Sequence, residues 1–130
     1  MFTLDQIHTL HSKVKSGADF PQYVQDLIGL GVRSYEIFVA DGSTTYWGLE
    51  DFQLKKLPRD QKLVVNDESS GEGLRHVIKI HQAGQTDYPT FCAQAAEAGV
   101  EKWTLDLDRM KCIYFDKAGQ VLVSEDIPTP

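Results

Sequence analysis

The sequence predicts an α+β domain: one mainly antiparallel sheet covered on one face by helices, made from two copies of an α-α-β-β-β unit. Three observations predict it. Shifted by 68 positions, Asp19-Phe20-Pro21-Gln22-Tyr23 falls on Asp87-Tyr88-Pro89-Thr90-Phe91, Gly31-Val32 on Gly99-Val100, and Tyr35, Ile37 and Val39 on Trp103, Leu105 and Leu107. In each half, helical periodicity comes first and strict alternation follows. Each half has only about 65 residues, marginal for an independent core, so the copies (about 1–66 and 67–130) are expected to share one domain and bury their boundary.

Each element has a local reason. Thr3 can cap the first helix with Gln6 three residues on, as Ser69 can cap its counterpart with Glu72. Leu4, Ile7, Leu10, His11 and Val14 share one helical face, and Leu74, Val77, Ile78 and His81 share the corresponding one, with Gly17 and Gly84 as expected ends. The second helix of each copy opens at Asp19 or Asp87, carries Pro in its first turn, and closes at Gly31 or Gly99 with a valine behind the glycine.

Strands follow. Tyr35, Ile37 and Val39 match Trp103, Leu105 and Leu107 on the side that meets the helices, while Ser34, Glu36 and Phe38 match Lys102, Thr104 and Asp106 on the other. Asp41-Gly42-Ser43 turns into Thr44-Thr45-Tyr46-Trp47, and Asp108-Arg109-Met110 turns into Lys111 through Phe115. Asp116-Lys117-Ala118-Gly119 leads to a third strand at Val121-Leu122-Val123; in the first copy a charged insertion, Glu50 to Asp60, delays the equivalent to Leu63-Val64-Val65. Asn66 to Gly73 reads as the linker and Asp126 to Pro130 as a frayed tail.

Composition narrows the function classes. With 19 acidic against 13 basic residues the net charge is −6, and no basic stripe is present to neutralise phosphates, so nucleic acid is not an expected partner. No apolar run approaches the roughly 18 residues of a membrane span, and the N-terminus lacks a leader pattern, so no membrane is expected and the chain reads as cytoplasmic. Cys92 and Cys112 lack the spacing of a zinc site or disulfide framework and read as reduced, buried thiols. The tract Gly71-Glu72-Gly73-Leu74-Arg75-His76 lacks the third glycine and the lysine of a phosphate loop. Neither a metal nor a cofactor is expected.

Three constellations remain. His11 and His81, on apolar stripes of equivalent helices, are candidates to meet or to share a pocket near the boundary between copies, where imidazoles could move protons; the plainer reading is structural. Asp106 and Asp108, with Glu36 in a nearby register of the other copy, could gather carboxylates on the open sheet face for general acid–base work; the plainer reading is a solvated face with Lys102 and Lys111. Tyr46-Trp47 and Tyr114-Phe115 are adjacent aromatics on strands, so one of each pair must leave the helix-covered side and invite a planar ligand or a partner surface.

The second half, Gly84-Gln85-Thr86-Asp87-Tyr88 through Ala95-Ala96-Glu97-Ala98-Gly99-Val100-Glu101-Lys102-Trp103 and on to Tyr114-Phe115-Asp116-Lys117-Ala118-Gly119, resembles the YbcV-like family along nearly the whole chain. That resemblance implies a small bacterial protein, often prophage-encoded and sometimes labelled a phage envelope protein, and implies no catalytic residues. The expected function is an accessory binding or protein-interaction module, self-associating or holding a protein partner through Tyr46, Trp47, Tyr114 and Phe115. The alternative is a small hydrolase or lyase using Asp106, Asp108 or Glu36 with His11 or His81.

Overall fold

The structure is a computed structural model that describes residues 1–60 and 62–130. The first helix, α1 (Leu4–His11), starts at the expected box: Thr3 Oγ1 accepts from the Gln6 amide at 3.2 Å and the Thr3 amide donates to Gln6 Oε1 at 2.9 Å. It ends at His11, well before Gly17, which instead begins a short 3₁₀ turn, Gly17–Asp19. Asp19 belongs to that turn: its Oδ2 accepts from the amides of Lys15 (2.9 Å) and Ser16 (3.4 Å), so it does not cap α2 (Phe20–Leu30), contrary to the sequence expectation.

Asp87 does cap its helix, α4 (Tyr88–Glu97), accepting from the Thr90 amide at 2.9 Å. The preceding helix, α3 (Gly71–Gln82), is capped by Ser70 rather than Ser69: Ser70 Oγ accepts from Gly73 at 3.0 Å, while the Ser69 hydroxyl reaches Asp116 instead. The closing turns of α2 and α4 match. Gly31 and Gly99 adopt φ of 104° and 88°, and the amides of Val32 and Val100 return to the carbonyls of Leu27 and Ala95 at 3.0 Å. A left-handed residue is needed there to reverse the chain, and the valines behind it are buried against the core.

Six strands form one antiparallel sheet among the described residues: β1 (Ser34–Phe38), β2 (Thr44–Trp47), β3 (Gln53–Lys56), β4 (Lys102–Asp106), β5 (Lys111–Phe115) and β6 (Val121–Asp126), in the order β3-β2-β1-β4-β5-β6. The α+β class with helices packed on a mainly antiparallel sheet is thus what the chain adopts. The leading strands of the two halves meet at the centre, where Tyr35 faces Leu105, Glu36 faces Thr104 and Ile37 faces Trp103. Alternation puts Tyr35, Ile37, Trp103 and Leu105 in the core under the helices, with Leu27 and Leu74 fully buried opposite them, and sends Glu36 and Thr104 to the outer face.

Two further expectations need correction. The third strand of the first half is Gln53–Lys56, not Leu63-Val64-Val65. A tight reversal at Leu49–Asp51, with left-handed Glu50 and Asp51, returns the chain directly onto β2 and sets Leu54 opposite Tyr46. Residues 63–65 run as an irregular segment that hydrogen-bonds once to the Ala40 carbonyl (Leu63 amide, 2.7 Å) and buries Val65 while leaving Val64 90% exposed. The C-terminus is also less frayed than expected, because the Ile127 amide donates to the Met110 carbonyl at 2.8 Å and its side chain is buried. Among the described residues, no helix is long and apolar enough to cross a membrane.

Candidate functional site

A cavity of about 270 Å³ lies between the helices and the sheet, and both halves supply its wall. The strand alternation that buries Tyr35, Tyr46, Trp103 and Tyr114 aims them at the helices, where Tyr23 of α2 and Tyr88 and Phe91 of α4 close over them. Tyr35 and Tyr46 stack at 5.4 Å, and Trp103 meets Phe91 at 5.5 Å and Tyr114 at 5.8 Å. The wall is therefore largely ring faces and edges, surfaces suited to a flat apolar body. His8, Lys56 and Gln82 line the same cavity and are exposed, so it communicates with solvent.

His11 and His81 both border this cavity. The His11 ring makes edge contacts with Tyr23 (5.4 Å) and Tyr88 (5.2 Å), one tyrosine from each half. Burial, then the positive charge of Lys56 and the neighbouring His8 ring, lower its pKa. His81 stacks on Phe91 at 4.3 Å, and its Nδ1 lies 3.1 Å from the Thr86 carbonyl and 2.9 Å from the Thr86 hydroxyl. A carbonyl only accepts, so Nδ1 carries the proton in the neutral ring and Nε2 keeps a lone pair. Burial lowers the pKa of His81 as well, against the opposing pull of Thr86 and Asp87. The space beside His81 is taken by Gly17, where a methyl group would overlap the His81 carbonyl; this seats the 3₁₀ turn of the first half on the end of α3.

These two shifts set a pH dependence. A histidine whose folded pKa lies below its unfolded value of 6.5 contributes full stability above that pH and loses it as pH falls toward the folded pKa, because the unfolded chain takes up the proton first. The carboxylates with lowered pKa, Asp41, Asp67 and Asp87, act only below their ordinary value of 3.8. We expect unfolding free energy from urea titrations to fall between pH 7.5 and 5, and the slope to flatten in a His11→Gln, His81→Gln double variant. An unchanged slope would show that neither ring is held neutral by the fold.

Other groups in the wall are held protonated. Burial pushes the Cys112 thiol up to about 12 and the Tyr46 hydroxyl up to about 12. Cys92, on α4, is likewise raised by burial. Both cysteines are free and buried, and neither is an activated nucleophile at neutral pH. Among the described residues, no group of three or more His, Cys, Asp or Glu side chains is placed to hold a metal ion.

The strand carboxylates lie elsewhere. Glu36 accepts from Lys102 Nζ at 2.8 Å on the outer face. Asp106 caps the following turn, accepting from the amides of Asp108 and Arg109 at 3.1 Å each. Asp108 sits beyond the end of β4, not on the strand face expected from alternation, and forms a two-pronged pair with Arg33 whose shortest contact is 2.6 Å. The aromatic pairs divide: Tyr46 and Tyr114 enter the cavity wall, whereas Trp47, opposite Ser34, and Phe115, opposite Lys102, take the outer face. Lys102 Nζ lies 5.4 Å from the Phe115 ring and 5.8 Å from Phe38.

Sequence reasoning passed over Tyr23, Tyr88, Thr86, Lys56, Arg59 and Glu125. The tyrosines carried a signal, since Phe20 and Tyr23 align with Tyr88 and Phe91 as paired aromatics at the start of each second helix. The others lie in polar stretches, Lys56 beside Lys55, and only the fold brings them to the cavity or, for Thr86, to His81.

No curated protein matches the chain. Residues 8–126 match the family described as "Protein of unknown function (DUF1398)", a span that begins inside α1 and runs through the last residue of β6. With that span covering most of the chain, the protein belongs to the DUF1398 family.

Proposed function

We propose that this chain is a binding module for a small molecule, held in the cavity between the helices and the sheet. One observation carries the reading: a cavity of about 270 Å³, open to solvent, whose wall is built from the aromatic side chains of both halves and from His11 and His81. Pockets of this kind, apolar with a few convergent polar groups, are where ligands bind. The construction fits a duplicated unit with its site on the internal twofold: Glu36 pairs with Thr104, the residue 68 positions on. The resemblance read from the sequence supplies the setting, a prophage-encoded accessory protein of the bacterial cytoplasm.

Self-association or a protein partner belongs to the opposite face. Phe38 (37% exposed), Phe115 and Val121 (56% exposed) lie in one row across β1, β5 and β6 with the ion-paired Lys102 of β4 among them, apolar side chains of the sort that pair with another surface. The hydrolase or lyase alternative draws no support from the placement of Glu36, Asp106 and Asp108, which are ion-paired away from the histidines.

Native mass spectrometry of protein purified without chelators tests both parts. The expected result is a non-covalent mass of a few hundred daltons that is lost on denaturation, and whose removal changes Trp103 emission in a Trp47→Phe background. A monomeric apo chain whose Trp103 emission ignores every member of a broad metabolite set would overturn the proposal.

A further inference from the structure

We infer that the ligand is an organic anion: a flat apolar body lies between the tyrosine and tryptophan rings, and its anionic group sits at the end of the cavity lined by Lys56, Arg59 and His11. This rests on the cavity being a binding site and adds what it binds.

The two ends of the cavity differ in charge. Lys56 stands on β3 and Glu125 on β6, the two edge strands, and both side chains line the cavity. Five strand spacings separate those edges, roughly 24 Å before twist, so the two charges serve opposite ends. From Lys56 the row Thr44, Ile37, Trp103 and Tyr114 crosses the floor to Val123, two residues before Glu125 on β6.

The acidic end is occupied by its own neighbours. Asp126 is paired with Lys111, and Glu125 accepts from Gln82 Nε2 at 3.5 Å. At the basic end Arg59 directs Nη2 to the Val39 carbonyl at 3.0 Å, which fixes the guanidinium without cancelling its charge. Lys56 makes no ion pair among the described residues. Burial first, and then the field of Lys56, disfavour a proton on His11, so Lys56 acts on the cavity interior. Asp41 lies within the field of Arg59, but its carboxylate is turned to the Ser43 amide and hydroxyl at 2.9 and 2.7 Å. In a chain of net charge −6, this corner is where an anion is drawn in.

Size sets the scale of the body. A volume of 270 Å³ equals about nine waters of liquid, or roughly a dozen linked non-hydrogen atoms, which is a bicyclic arene with one small acid group. The rings that line the wall offer such a body apolar surface.

The test uses 2-naphthoate, its neutral isostere 2-naphthamide and the cationic 2-naphthylmethylamine, titrated calorimetrically into the full chain. Trp103 emission in the Trp47→Phe background reports entry into the cavity. We expect naphthoate to bind at least tenfold more tightly than the amide, Lys56→Gln to bring the affinities of acid and amide within about threefold of each other, and Glu125→Gln to leave the tenfold preference intact. Lys56 is exposed on an edge strand, so its replacement leaves the core untouched. Equal binding of acid and amide would overturn the anion assignment and leave the cavity as a binding site. Preference for the amine, lost in Glu125→Gln, would reverse the polarity and overturn it too. No cavity binding by any of the three would overturn the assignment of a flat bicyclic anion, and silence toward the broad metabolite set as well would overturn both readings.

Discussion

Replacing Trp103 with alanine is expected to destabilise the fold by about 3–5 kcal/mol, the range for removing a large aromatic from a packed core. Trp103 is only 4% exposed, occupies the middle of the sheet opposite Ile37, and packs edge-on or tilted against Phe91, Tyr88 and Tyr114. Its loss removes contacts to both second-half tyrosines at once and joins the void it leaves to an existing cavity. The surrounding rings are anchored on strands and on α4, so the site cannot collapse around the gap. Trp47 is the control. It is the same residue type on the outer face of β2, half-buried, and Trp47→Ala is expected to cost about 1 kcal/mol or less. Urea unfolding followed by far-ultraviolet circular dichroism compares the two variants without relying on tryptophan emission. Similar costs for both would mean that the inner face of the sheet is no better packed than the outer one.

The contrast between the two tryptophans also marks what could be read from sequence. Alternation establishes that Tyr46 and Trp47, or Tyr114 and Phe115, lie on opposite faces, yet it is pairing that decides which one turns inward: Tyr46 lies beside Tyr35, and Tyr114 beside Trp103. The glycine–valine closures of α2 and α4 and the Thr3–Gln6 box were legible because each is a complete local device, with its partners within a few residues. β3 was not legible, because an edge strand buries little: Leu54 is its one apolar side chain, and Gln53, Lys55 and Lys56 have weak strand preference. The pairing with β2 creates that strand, and propensity alone would not. Leu63-Val64-Val65 has the composition of a strand but runs from the end of β1 to α4 without pairing in the sheet, with Val65 buried and Leu63 packed partly against the core. The site divides in the same way. His11 and His81 stood out because a polar ring interrupts an apolar stripe; Lys56 and Thr86 did not, since nothing in their own neighbourhoods distinguishes them from solvated residues.

The segment between the two halves supplies the second large effect. Gly31→Ala and Gly99→Ala place the same methyl group on the same left-handed turn, since the φ angles are 104° and 88°. The conformational cost of a side chain in that region is about 1–2 kcal/mol, and for Gly31 nothing else is added: no atom lies within 4 Å of the new methyl. At Gly99 the methyl would stand 2.6 Å from the Ser69 Cα, 2.9 Å from its Cβ and 3.0 Å from the Glu68 carbonyl oxygen. Backbone atoms cannot rotate aside, so the connecting segment must move. It is held to the end of α4 by the Asn66 and Ser70 amides, which donate to the Ala96 and Ala98 carbonyls at 2.9 Å, and by the Asn66 side chain, which donates to the Glu97 carbonyl at 3.1 Å. Overpacking against a pinned neighbour adds about 1–3 kcal/mol. Gly99→Ala is therefore expected to cost about 2–5 kcal/mol where Gly31→Ala costs about 1–2, measured as the difference in urea unfolding free energy at equal m-values. Because both variants share the turn penalty, their difference isolates the seating of the connecting segment on α4. If the two costs agree, that segment gives way freely, and the joining of the two halves depends on the β1–β4 pairing and the packing of the 3₁₀ turn on α3.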